Sequence, residues 1–352
     1  MARAPARRSG GGSFLFWLLA LAGAAAIFVF FFFSSAMSRP GPSAEAAAFM
    51  VERGDSGAEI ASNLQEQGLI TDGFLFRIAN RLYGGGGALQ AGEYQIPARA
   101  SVRQIVEMMT SGDALQHAIT FPEGITIAAV MRIIEESDVL TGDMPPTPAE
   151  GSILPDTYHV QRGMSRTALL QIMTSAHDGA VAEIWANRAP NLPITTVEDF
   201  VTLASIVERE TGIPSERPMV AGAFINRLRI PMRLETDPTI IYGVCLRFPD
   251  RCRDGRLVDA RGNRRTIRQS EIELNTGYNT YQIDGLPPTP IANPGRAALE
   301  ATANPAQTNA IFFVADGTGG HLFAATLAEH QANVRRWREI EAERLAQQRQ
   351  GR

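Results

Sequence analysis

Two glutamates in the stretch LASIVERETG, Glu208 and Glu210, border the apolar residues of what reads as a helix. At about 100° per residue, Phe200, Leu203, Ala204, Ile206 and Val207 share one broad apolar arc. Glu208 falls at one edge of that arc, between Ala204 and Val201, and Glu210 at the other, between Ile206 and Leu203. Arg209 falls on the opposite side, where it can point at water. An ionised, unpaired carboxylate at such an edge is costly. Its pKa should rise, leaving part of it protonated near neutral pH. A protonated carboxyl at neutral pH is what general-acid cleavage of a glycosidic bond requires. An ion pair is the competing account, because Arg217, Arg227 and Arg229 lie just downstream and could neutralise either Glu. The wheel leaves both accounts open.

The helix that would position these groups has its own start and stop signals. In ITTVEDFVTLASIVERETG, Thr195 and Glu198 have capping-box spacing, and Gly212 and Pro214 end the run. On an ideal helix positions 208 and 210 point about 160° apart, so they should not flank one bond, and Glu210 reads as structural. Downstream segments supply Asn226, Asp237, Thr239, Tyr242, Asn279, Tyr281 and His321. Such a mix of amides, hydroxyls and rings suits a sugar cleft.

Several chemistries are excluded. All 33 basic residues are Arg, which removes a Walker A lysine, a Schiff-base lysine and a Ser-Lys dyad. The five His are scattered without H-x-x-x-H spacing, so neither metal nor cofactor is expected. The glycine runs at 84–87 and 316–320 match no phosphate loop and read as turns. Residues 247–268 hold eight Arg and three Asp, but the net charge is −4. An exposed loop is expected there, contact with an acidic polymer is the second account, and no nucleic-acid partner is implied.

The N-terminus gives the organisation. Arg3, Arg7 and Arg8 precede an uncharged apolar run from Phe14 to Phe33, long enough at about 1.5 Å per residue to cross a bilayer. This predicts a cytoplasmic segment 1–13, a transmembrane helix 14–33 and a linker 34–47. SSAMS after the run keeps signal cleavage as the alternative. A small α+β module follows over 48–115. Its helices include one capped by Asp72 with Phe74, Ile78 and Leu82 in a stripe, and one capped by Ser101. A larger mixed α+β domain spans 116–345, with two strands around DGTGG and a final helix capped by Thr326 and Glu329. Cys245 and Cys252, with six residues between them, could close a disulfide in an oxidising compartment or remain thiols.

LASIVERET, FINRLRIPMRLETDPTIIYG, YNTYQIDGLPPTPIANPG and FFVADGTGGHLF closely resemble the YceG-like family, the endolytic murein transglycosylases. TFPEG and EGSILPDTY resemble that family's signature segments. The module with VERGDS and Ile60-Ala61 resembles its LysM-like subdomain, apart from a third helix. The resemblance implies a catalytic Glu at position 208. It implies cleavage of the β-1,4 bond between N-acetylmuramic acid and N-acetylglucosamine within nascent strands, by attack of the muramyl 6-hydroxyl on C1. The product end is a 1,6-anhydro sugar and strand elongation stops. One carboxylate can then suffice, since the substrate brings its own nucleophile. Asn226, Asp237, Asn279 and Tyr281 are expected to orient the strand. The implied setting is a single-pass inner-membrane protein with a periplasmic catalytic domain and peptidoglycan synthases as partners. A peptidoglycan hydrolase and a non-catalytic wall-binding protein are the competing readings.

Overall fold

The computed structural model describes residues 11–85 and 89–350. Arg3, Arg7, Arg8, Gly86 and Gly87, on which part of the sequence reading rests, lie outside the described residues. The protein is mixed α+β, and the chain divides into two compact units, Met1–His117 with Gln161–Gly163, and Ala118–Val160 with Met164–Arg352.

The first unit begins with α1 (Gly11–Met37), followed by β1 (Ala47–Val51), α2 (Gly57–Glu66), α3 (Gly73–Tyr83), β2 (Gly92–Ile96) and α4 (Val102–Ser111). Among the described residues α1 is long and apolar enough to cross a membrane, with a mean hydropathy of 2.5 over Leu15–Met37. It runs past the expected end at 33. Met37 is fully buried and Phe33 packs beside it in the unit's core, so the first residues of the expected linker are helix. β1 and β2 pair antiparallel, Phe49 opposite Tyr94, and both rings are buried with Ile60, Leu64, Phe76 and Ile105. Ser56 and Ser101 close reciprocal capping boxes at α2 and α4, and the Asp72 carboxylate accepts from Phe74 N–H at α3. The stripe expected on α3 is displaced. Phe76 and Ala79 are buried, whereas Phe74 and Leu82 are exposed. The apolar arc of this helix is wider than the face it buries, so periodicity alone could not choose which part turns inward.

The second unit takes in most of β3 (Gln116–Thr120) and of β4 (Thr157–Gln161), with α5 (Ile127–Glu136), α6 (Arg166–Ala186), α7 (Val197–Glu210), α8 (Arg217–Arg229) and α9 (Asp237–Arg247). The hairpin β5 (Cys252–Arg253) and β6 (Arg256–Leu257), the short α10 (Gln269–Ile272), α11 (Arg296–Ala303), the hairpin β7 (Phe312–Ala315) and β8 (His321–Ala324), and α12 (Leu327–Gln350) complete it. β3 pairs with β4. Thr326 and Glu329 form the expected reciprocal cap at α12.

Helix α7 is the centre of this unit. Each residue from Phe200 to Glu208 is buried, rather than one arc of them. The cause is packing on several sides, since α6, α8, α9 and α11 all touch α7. Its cap sits one residue later than expected, with the Thr196 hydroxyl accepting from Asp199 N–H at 3.1 Å. Cutting Ile206 to Ala in this core should cost about 2–5 kcal/mol.

Candidate active site

The buried Glu208 carboxylate is held on two sides. Gly295 N–H donates to its Oε2 at 3.0 Å, and Arg217 Nη2 donates to its Oε1 at 2.8 Å. One turn earlier on the same face of α7, Ser205 Oγ accepts from Ile291 N–H at 3.0 Å. Residues 205 and 208 together dock the IANPG segment along the helix. Arg217 Nη2 also donates to Glu123 Oε2 at 2.9 Å, so one guanidinium serves two carboxylates. Their exposures differ: the Glu208 side chain is 4% accessible and that of Glu123 45%. Arg217 Nε is buried without a hydrogen-bond partner.

Two glycines permit this crowding. Gly124 has φ +71°, and a Cβ there would lie 3.2 Å from Arg209 Cδ and 3.4 Å from Glu208 Cγ. A Cβ on Gly295 would collide with the Glu123 carboxylate. The TFPEG and NPG turns therefore press on Glu208 from two directions. Burial pushes the Glu208 carboxyl up, the Gly295 N–H and Arg217 pull it down, and the Glu123 charge pushes it up again. The net direction is upward. The ion pair and the raised pKa, alternatives at the sequence level, coexist because burial raises the carboxyl more than the Gly295 N–H and the shared Arg217 lower it.

The structure adds a half-buried acid that the sequence reading did not single out. Glu150, in EGSILPDTY, accepts from Ile127 N–H at 2.8 Å and from Asn293 Nδ2 at 3.1 Å. Burial pushes its carboxyl up to about 7, against neutral donors from Ile127, Tyr242 and Gly151. Asn293 is fully buried; its Oδ1 accepts from Ile153 N–H and its Nδ2 also donates to Ile125 O. The same short segment thus presents its Asn293 amide to Glu150 and its Gly295 N–H to Glu208. Glu150 lines a cavity of about 460 Å³ with Thr126, Arg132, Tyr242, Cys245 and Cys252. Cys245 and Cys252 are joined as a disulfide. The usable signal was a Glu inside a motif already noted. Its partners lie 23 and 143 residues away, beyond any local periodicity.

The four residues expected to orient a strand are distributed. Asn226 donates to the carbonyls of Thr308 and Ala310 at 2.7 and 3.0 Å. Asn279 is fully buried and donates to the carbonyls of Ile272 and Leu274. Both amides hold backbone. Tyr281 OH donates to Asp237 Oδ1 at 3.0 Å, and burial followed by that carboxylate pushes the phenol up. His321 Nδ1 is 2.8 Å from Glu216 Oε2.

Arg209 departs from its expected place in water. It is half-buried, donating to the carbonyls of Gly124 and Gly255, each at 3.2 Å, because the TFPEG and β5–β6 turns cover that side of α7. Glu210 accepts from Thr236 Oγ1 at 2.7 Å and takes no part in the Arg217 pair. Burial pushes its carboxyl up.

The profile of the YceG-like family matches residues 49–336. The endolytic murein transglycosylase of Bacillus subtilis (strain 168) is 26% identical over 312 residues, covering 80% of this chain and 81% of its own. That of Streptococcus pneumoniae serotype 2 is 24% identical over 331 residues, 81% of this chain, and this chain spans 57% of its length. A crystal structure of a yceG-like protein from Listeria monocytogenes matches at 26% identity with a TM-score of 0.46, covering 82% of this chain and 99% of that one.

Proposed function

The chain belongs to the YceG-like family, and we propose that it is a peptidoglycan lytic transglycosylase in which Glu208 moves the proton. The supporting observation is the Glu208 setting: a buried carboxyl, pushed up by desolvation, on a helix packed on all sides. As the acid, Glu208 donates its proton to the glycosidic oxygen as the bond to C1 breaks. As the carboxylate, it then takes the proton of the muramyl 6-hydroxyl as that oxygen bonds to C1. The sum is one strand cut into two with no water consumed, one new end being a 1,6-anhydro sugar. Attack within one sugar supplies the entropic advantage.

Asp237 and Tyr281 are the proposed strand contacts. Asn226 and Asn279, with their amides committed to carbonyls, act as scaffold. The first unit is proposed to hold glycan as a LysM-like module. The apolar helix α1 is compatible with a single-pass anchor. An inner-membrane location with a periplasmic catalytic unit would let the enzyme trim strands beside their synthases.

One observation favours a second reading. Glu123 shares Arg217 with Glu208, and a second carboxylate beside the first is what a hydrolase uses. Mass spectrometry of the ends made from uncrosslinked glycan strands by the full-length protein separates the two. Anhydro ends, one water lighter than reducing ends and absent with Glu208→Gln, are expected. Reducing ends would make it a hydrolase with Glu123 as the second acid. Binding without cleavage would leave a wall-binding protein.

A further inference from the structure

The arginine-rich segment 247–268 contributes to a concavity beside α7. Arg209, Arg256 and Arg264 line a cavity of about 440 Å³ with Asp237, Arg265 and Thr266. β6 carries Arg256, and the bridge between Val258 and Arg264 places Arg264 diagonally across the ladder on the same face. The opposite face carries Leu257, buried against Ile240 and Val244, which fixes the hairpin on α9. The disulfide ties the base of that hairpin to the same helix.

The charges in this concavity are unbalanced. Arg265 gives its guanidinium to Glu271, at 2.6 and 2.8 Å. Among the described residues no carboxylate lies within 4 Å of Arg209, Arg256 or Arg264. Asp237, the acid in the lining, already accepts the Tyr281 hydroxyl. Arg209 is half-buried, satisfied by two carbonyls, and experiences the positive charges of Arg256 and Arg264. Glu208 and Glu150 offset part of this from farther off. Three guanidinia gathered with no carboxylate within 4 Å of them are suited to an anion supplied from outside, and a planar fork matches a carboxylate.

We infer that Arg209, Arg256 and Arg264 form a subsite for a carboxylate carried by the glycan strand, beside the helix that carries Glu208. This rests on the peptidoglycan reading above, which supplies two sources of that chemistry. Peptide stems end in free carboxylates. A bare strand exposes the lactyl carboxylate of each muramyl residue.

The test uses the full-length protein with Glu208→Gln, so that binding is measured without cleavage, and compares it with the same protein carrying Arg256→Gln and Arg264→Gln. Both side chains are exposed, so folding should survive. On uncrosslinked stem-bearing strands the added substitutions should weaken binding by about tenfold at low salt, and by much less at high salt. Loss confined to strands stripped of their stems assigns the lactyl carboxylate, loss confined to stem-bearing strands assigns the stems, and the same loss on both means that either carboxylate fills the subsite. Unchanged affinity on both strands, or no binding to either, overturns the subsite. Cleavage by otherwise native protein separates the two ideas. Cleavage with arginine-independent affinity removes the subsite alone, whereas arginine-dependent binding without cleavage keeps it and removes the lytic reading.

Discussion

Glu208, buried, and Glu150, half-buried, are both pushed up by desolvation and both attached to the same segment, 293–295. Their partners differ in kind. Glu208 has a cation that it shares with Glu123, and one backbone N–H. Glu150 has neutral donors, and the charge of Arg209 acts on it more weakly than they do. Neutral donors around a desolvated carboxyl hold it near 7 and leave it there. A divided cation makes the balance depend on a movable neighbour, because Glu123 is half-exposed and Glu208 is not. A substrate that displaces Glu123 or draws it away would change how much of Arg217 is left for Glu208. A resting carboxylate and a working acid can then be the same group.

Removing the cation should give the largest effect. Arg217→Ala leaves Glu208 buried and uncompensated, and should lower unfolding free energy by about 3–5 kcal/mol at pH 7.5 in urea titrations. Part of that loss should return at lower pH as Glu208 takes up a proton. A loss under about 1 kcal/mol would mean that the pair contributes little and the comparison fails.

The Glu150 side carries the opposite signature. Its folded pKa, about 7, lies above its ordinary 4.5, so the folded state keeps the proton to higher pH than the unfolded state. The contribution of this group therefore declines as pH rises from 4.5 to about 7 and stays level above. Over that window it amounts to about 3 kcal/mol. Glu150→Gln should remove that slope and unfold at a higher temperature than the native protein at pH 7.5, with little difference at pH 4.5. Parallel pH slopes for the two proteins would show that Glu150 titrates normally.

The wall of the Glu150 cavity offers two smaller effects. Replacing both Cys245 and Cys252 by Ser opens a short loop and should cost about 2–3 kcal/mol, read by urea midpoint with native protein as reference. Arg132→Gln breaks the exposed ion pair with Asp254, where side-chain exposures are 43% and 45%. It should change stability by less than about 1 kcal/mol, and a larger cost would mean that this wall is more tightly coupled than its exposure suggests.

The contrast also shows what a sequence carries. Helix α7, its stop near Gly212, and the caps at Asp72, Ser101 and Thr326 were legible because they depend on neighbours within four residues. The exposed edge given to Arg209 was not, because turns from two distant segments cover it. The roles of Glu123 and Glu150 were hidden for the same reason. Each sits in a loop whose partners lie from 23 to 143 residues away. The inner face of α3 was misjudged because Phe74 and Leu82 are as apolar as the residues that are buried. Amides such as Asn226 and Asn279 look alike in sequence whether they face a ligand or a carbonyl.

The most direct measurement compares Glu208→Gln with Glu150→Gln, full-length, cleaving the same uncrosslinked strands near pH 7. A general acid is worth about 10²–10⁴ in rate. The account predicts a loss in that range or beyond for Glu208→Gln, with the product ends of native protein missing, and less than about a tenfold loss for Glu150→Gln. The reverse order, or two equal small losses, would contradict the assignment of Glu208 as the residue that moves the proton.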